Sequence, residues 1–454
     1  MTEVPRAAAG RAAEPEVAAE TGLLPRSWVR TGPRVALTWS VSRVLMMAIF
    51  LATSTYIIGD VTYYWRKLEA MSSVGLANTL SEYPTPVVWI LELPHLVTFH
   101  HSYGYLVAFI VSMAALDGWL LWLLWHAAGR RRNAGVDFWI VFSWLIGMLI
   151  YVRFDMIPAV LVGAALVWVI RRPGAAGAVV GLGAAVKLWP ALLFPALLSI
   201  RDRGRAAGPA DGSHGFRGPF TLGFVIVGFG LALISLVTGG LRRLFSPLTW
   251  QSDRGLQIES LWATPLMLAR VFSPSSWQVD LSKYQAYEVF GPGVSGWLTV
   301  STVITVLGIL AIVVLVIKAF RHPDPQVWEV ALLALAVVLI MIVTNKTLSP
   351  QYVLWLGGPV AVLLITARTD GDRRIARRLA WSTFAIALLT QLIFPQGYNW
   401  LLGYRGHFAT TLIATLVLTL RNLALLAVTG WVVGLAFTRL RGVDAVAANL
   451  TGPR

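Results

Sequence analysis

Residues 327–344 read VWEVALLALAVVLIMIVT, and the eight that follow read NKTLSPQY. The first stretch is apolar along its whole length apart from Glu329 near its start. Such a run is long enough to cross a bilayer core of roughly 30 Å as a helix. It lacks the apolar/polar alternation of a barrel strand, and in lipid a helix satisfies its own backbone groups. Similar runs lie near 35–57, 104–127, 136–152, 156–170, 219–240, 297–317, 352–367, 378–394 and 408–437. The expected fold class is therefore all-α: a polytopic integral membrane protein with about 12 transmembrane helices.

The composition agrees. The chain is 57% hydrophobic and 13% charged, which no soluble globule of 454 residues needs. Its net charge of +15 comes in short basic clusters between spans, among them Arg130-Arg131-Arg132, Arg171-Arg172, Arg201-Asp202-Arg203, Lys318 to Arg321 and Arg439 to Arg441. That distribution is a positive-inside topology signal and not a nucleic-acid stripe, so no nucleic-acid partner is expected. It places both termini in the cytoplasm, with Arg26, Arg30 and Arg34 holding the first span. The absence of cysteine excludes disulfides, thiolate metal sites and a cysteine nucleophile.

Three regions are expected: a disordered cytoplasmic tail over 1–33, a single transmembrane domain over 34–441, and a cytoplasmic tail over 442–454. Residues 1–30 have no apolar core of the kind a signal peptide carries. Residues 58–103 form a long external connection, too aromatic for disorder, with interfacial helices expected near 61–76 and 84–93. Residues 174–200 are too short for two full crossings. They are read as a pair of short helices turning at Lys187-Leu188-Trp189-Pro190. A second external segment is expected over 241–295.

Ionisable groups in apolar context fall on one side of this topology. Asp60 follows the first span; Arg153-Phe154-Asp155, Lys187, Arg254 to Glu259 and Asn345-Lys346 sit at other connections on that side. One acid facing several cations at a lipid boundary suits a lipid-phosphate substrate. Each group also has a plainer reading. Asp60 could be a solvated helix end, Arg153 and Asp155 an ion pair sealing a turn, Lys187 a snorkelling side chain, and 345–352 a polar turn. Asp117, in mid-span, reads as a buried hydrogen-bonded structural acid. His95, His100, His101 and His407 lack the spacing of a recognised metal motif, and a lone Asp without a second acid is a poor divalent-ion site. No metal and no cofactor is expected.

The motifs Asp60 with Tyr63-Tyr64, Glu82-Tyr83-Pro84, Arg153-Phe154-Asp155-Met156-Ile157-Pro158, Lys187-Leu188-Trp189-Pro190, Arg254-Gly255-Leu256-Gln257-Ile258-Glu259-Ser260 and Asn345-Lys346-Thr347-Leu348-Ser349-Pro350-Gln351-Tyr352 occur in an order that resembles glycosyltransferase family 87. These are bacterial polyprenyl-phosphate-mannose-dependent α-(1→2)-mannosyltransferases of the GT-C membrane fold. The resemblance implies inverting transfer of mannose from a polyprenyl-phosphate donor to a glycolipid or polysaccharide acceptor, on the external face of the cytoplasmic membrane. It implies Asp60 as general base, since a lipid phosphate leaves without protonation and one carboxylate suffices. Lys187, Lys346, Arg254, Asn345 and Arg153 are then expected at the donor phosphate. Tyr63, Tyr64, Glu82, Tyr83, Asp155, Gln257, Glu259, Gln351 and Tyr352 are expected around the sugar and the acceptor.

Two other readings compete. The same fold could use another polyprenyl-phosphate sugar, such as arabinose or glucose. A lipid-linked-sugar flippase or transporter would instead need polar groups near the midplane, whereas here they crowd one side.

Overall fold

The computed structural model describes residues 31–128, 134–200, 215–404 and 407–440. Residues 1–30 of the tail expected over 1–33, the tail expected over 442–454, the clusters Arg130-Arg131-Arg132 and Arg201-Asp202-Arg203, and Arg26, Arg30 and Arg441 lie outside them; Gly32 and Pro33, expected in the first tail, already belong to the first helix.

Helix α1 (Gly32–Thr53) leads through a 3₁₀ turn into α2 (Gly59–Glu69), α3 (Met71–Val74) and α4 (Thr85–Val97). Helices are thus present in 58–103, where interfacial ones are expected. Next come α5 (Ser102–Ala127), α6 (Ala134–Ile146) and α7 (Met156–Trp168). The short pair is α8 (Pro173–Val186) and α9 (Leu193–Leu198); Lys187 is extended between them, and Pro190 sits in the first turn of the 3₁₀ helix Trp189–Leu192 that follows. Helix α10 (Arg217–Phe224) passes through a π-helical turn into α11 (Gly230–Asp253). This run breaks at Gly240, whose φ of 76° and ψ of 174° are non-helical and favour glycine, and a second helical stretch follows to Asp253. The break falls next to residue 241, where the second connecting segment is expected to begin.

That segment holds α12 (Thr264–Phe272) and an antiparallel hairpin of β1 (Gln278–Leu281) and β2 (Tyr287–Phe290). The hairpin has no counterpart in the sequence reading. Helices α13 (Val294–Arg321), α14 (Val327–Thr344), α15 (Gly357–Thr366), α16 (Asp370–Gln391), α17 (Tyr398–Leu402) and α18 (Phe408–Arg439) complete the bundle. Helices α14 and α16 start at capping boxes, Gln326 with Glu329 and Thr369 with Asp372, which satisfy end N–H groups at both positions.

Seven helical runs among the described residues are long and apolar enough to cross a membrane, with shorter apolar helices beside them. The protein is an all-α polytopic membrane protein. Burial separates its centre from its rim: 83% of the apolar window of α14 is buried, but only 11% of that of residues 217–253. Helix α14 is the central post, packed by α13, α15 and α18.

Asp117 of α5 is fully buried and fully engaged. Its oxygens accept from Trp39 Nε1 at 2.8 Å, Arg43 Nε at 2.8 Å, Arg43 Nη2 at 3.1 Å and Trp139 Nε1 at 2.7 Å. This is the structural acid expected from the sequence, tying α1, α5 and α6 together through a charge that would be costly alone.

Candidate functional site

Asp60 lies in the first turn of α2, where the helix dipole favours a carboxylate. Arg153 enters from the turn before α7. Its Nη1 donates to the Ile57 and Val152 carbonyls at 3.1 and 2.9 Å, and its Nε stands 2.8 Å from Asp60 Oδ2. That contact is an ion pair without hydrogen-bond alignment. Asp155, two residues on, turns the other way. It accepts from Lys187 Nζ at 2.6 Å and from Trp355 Nε1 at 3.0 Å. Arg153 and Asp155 therefore do not pair with each other across their turn; each pairs with a different element.

The Lys187 ammonium is further held over the rings of Tyr352 and Trp355, at 4.7 and 4.8 Å from their centroids. Trp355 stacks on both Tyr352 and Trp189, so the lysine sits in an aromatic box built from two separate turns.

The segment 255–259 runs along β2 as an extra short strand. Val289 N donates to the Leu256 carbonyl at 3.0 Å, and Ile258 N to that of Tyr287 at 3.1 Å. Gly255 N donates to Glu288 Oε1 at 3.1 Å, and a Cβ at Gly255 would stand 2.6 Å from Glu288 Oε2. A side chain at 255 would have to displace the Glu288 carboxylate, so glycine suits this close approach. It leaves Arg254, the preceding residue, directed into the cavity with no hydrogen bond or ion pair to a described residue, its Nε buried. At the far end of the segment, Glu259 is clamped by Arg421 Nη1 at 2.9 Å and is fully buried. Asn422 Nδ2 donates to the Glu259 carbonyl at 3.2 Å and to Thr264 Oγ1 at 2.7 Å.

These pieces enclose one cavity of about 480 Å³. Its lining includes every residue expected at the site except Tyr64 and Lys346: Asp60, Tyr63, Glu82, Tyr83, Arg153, Asp155, Lys187, Arg254, Gln257, Glu259, Asn345, Gln351 and Tyr352. Tyr64 is only 1% exposed and packs behind the wall against Tyr63, Tyr83, Phe109 and Phe154. Lys346 turns outward to donate to the Ser252 carbonyl at 2.7 Å. Asn345 Oδ1 accepts from Thr347 N and Oγ1, each at 3.0 Å, a side-chain turn that ends α14. The sequence reading missed Trp355, Phe394 and Tyr398 in the lining and Arg421 behind it, and quoted Trp189 in a motif without giving it a place in the site. Arg421 carried a signal, being a charge inside an apolar span; the aromatics carried none that set them apart from an interfacial belt.

The carboxylates differ in access. The Asp60 side chain is 41% exposed, against 3% for Asp155 and 1% for Glu259. Glu82 accepts from the Tyr63 hydroxyl at 2.8 Å. Asp60 is thus the carboxylate among these three that an incoming hydroxyl can reach. Its exposure is to a confined cavity, and the surrounding protein pushes its pKa above the usual carboxylate range. Arg153 opposes the rise, Asp155 adds to it and Lys187 opposes it. Burial also raises Glu82 and Tyr63, the latter helped by Glu82, which keeps the Tyr63 hydroxyl a donor.

Fold and site together define a polytopic membrane protein with a charged cavity among its helix connections. The model of glycosyltransferase family 87 matches residues 80–344, and the chain belongs to that family: it is a glycosyltransferase. No curated protein sequence matches the chain.

Proposed function

We propose that the protein transfers mannose from polyprenyl-phosphate mannose to an envelope glycolipid or polysaccharide, with inversion, using Asp60 as general base. The observation that carries this reading is one cavity holding both a reachable carboxylate, Asp60, and a cation without a partner among the described residues, Arg254. A sugar between them would meet a proton acceptor on one side and a phosphate-binding group on the other.

In this reading the acceptor oxygen attacks the anomeric carbon while Asp60 takes its proton. The bond from that carbon to the phosphate oxygen breaks, and the electron pair leaves with the polyprenyl phosphate. Arg254 answers the added charge, a contribution that such groups make at developing oxyanions. Lys187 and Asn345 extend the donor-phosphate subsite, and Arg153 orients Asp60 besides contributing positive potential. Tyr63, Tyr83 and Tyr352 offer ring faces and hydroxyls to the sugars; Glu82, Gln257 and Gln351 offer hydrogen bonds. Transfer proceeds without a divalent ion, since fixed cations already serve the phosphate. Exposed Leu188, Leu248 and Leu281 at the cavity give the polyprenyl chain an apolar surface on which to lie. The cavity faces the external side of the cytoplasmic membrane, with both termini inside, in keeping with the basic clusters.

A donor panel tests the reading. Purified protein is given polyprenyl-phosphate mannose, glucose or arabinose, and the anomer of each product is assigned by NMR. Transfer of mannose with inversion is expected; preferred transfer of another sugar, or retention, contradicts it.

A further inference from the structure

Away from the cavity, the end of α2 opposite Asp60 meets the α4–α5 connection through three potential metal ligands. Glu69 Oε1 lies 2.8 Å from His95 Nε2 and 3.2 Å from His100 Nδ1, and the two ring nitrogens are 3.2 Å apart. A tetrahedral zinc ion about 2.1 Å from its ligand atoms spaces them about 3.4 Å apart. Two of the three separations match one face of such a shell to about 0.2 Å, and the Glu69–His95 pair is about 0.6 Å shorter.

The second ring nitrogen of His95 points to the same conclusion. Its Nδ1 is 3.2 Å from Glu92 Oε1, the carboxylate–histidine arrangement that keeps a proton on Nδ1 and turns the Nε2 lone pair toward a metal. His95 is 1% exposed, so its orientation is fixed by packing. His100 is presented by a loop in which both Phe99 and His100 have positive φ, and its carbonyl accepts from Trp65 Nε1 of α2 at 2.9 Å. With a neutral His95 held in that tautomer, its Nε2 lone pair would face a Glu69 oxygen at 2.8 Å, two acceptors in contact. Only a cation between them, or an added proton, relieves this.

We propose that Glu69, His95 and His100 form a zinc site that clamps the C-terminal end of α2 to the α4–α5 connection. Two imidazoles and one carboxylate select a transition metal over calcium or magnesium. The fourth position is open to water. None of the three residues lines the transfer cavity, so the site is separate from the transfer reaction. It lies about 14 Å from Asp60 along α2, nine residues at a helical rise.

The test uses full-length protein without a histidine tag, stripped with a chelator and dialysed. Zinc is titrated calorimetrically, and cobalt is followed by its visible absorption. One ion per chain is expected, with a tetrahedral cobalt spectrum and a zinc-dependent rise in Tm. His100→Ala, at a half-exposed position that should not disturb folding, is expected to abolish all three. Glu69→Gln serves as a second ligand variant. Glu92→Gln is expected to weaken binding about 10- to 100-fold through loss of orientation. Absence of zinc binding tighter than millimolar, or identical binding by wild type and both ligand variants, overturns the proposal.

Discussion

At the scale of single residues, the account turns on why one carboxylate among several serves as base. Asp155, Glu82 and Glu259 are each held by a dedicated donor, whereas Asp60 meets Arg153 as an unaligned ion pair and keeps an open face. Burial raises its pKa, so the acid limb of the pH–activity profile should lie above the ordinary aspartate value of 3.8. The sign of the Arg153 effect follows. Its charge favours the ionised form of Asp60, so Arg153→Met should move that limb to higher pH still and lower activity at neutral pH. Rate measurements between pH 4 and 8 check this; an unmoved or acid-shifted limb would show that Asp60 does not titrate in the profile. Much of the site was legible in the sequence, because a charged residue at the edge of an apolar run needs a reason to be there. Pairing was not legible. Nothing in Arg153-Phe154-Asp155 says that the two charges reach for Asp60 and Lys187 and not for each other, since that depends on which helices meet.

At the scale of elements, the long spans were readable from hydropathy because a bilayer sets their length. The hairpin of β1 and β2 was not: its strands have four residues each, too few for a period to register, and they are stabilised by pairing with residues 255–259. Close helix packing sits between these cases. Gly177 and Gly181 of α8 are four residues apart, the spacing that lets transmembrane helices touch by their backbones. A Cβ at Gly177 would stand 1.9 Å from the Phe220 carbonyl oxygen of α10, and one at Gly223 would stand 2.0 Å from that of Gly174. Gly177→Val should therefore force α8 from α10. The expected cost is at least the ~1–3 kcal/mol typical of overpacking, read as a lower Tm in detergent. Because α8 ends at Lys187, activity per folded molecule should fall as well. A Tm within a degree of wild type would mean that the two helices do not pack in this way.

At the scale of the whole molecule, α14 forms a buried post, more lipid-facing helices surround it, and the connections that follow α1, α6, α8 and α14 converge on one cavity. The absence of cysteine makes the proposed orientation simple to test. Ser72→Cys, beside the cavity-forming segment, should react with an impermeant maleimide in intact cells. Arg374→Cys, on the α16 end where the basic residues cluster, should react only after lysis; the reverse pattern would put the cavity on the cytoplasmic side. The most direct test of the central claim compares transfer of radiolabelled mannose from polyprenyl-phosphate mannose by wild type and by Asp60→Asn, with donor binding measured on both. The account predicts donor binding within a few-fold of wild type and transfer lower by about 10²- to 10⁴-fold, the usual contribution of a general base. Transfer by Asp60→Asn at the wild-type rate would contradict it.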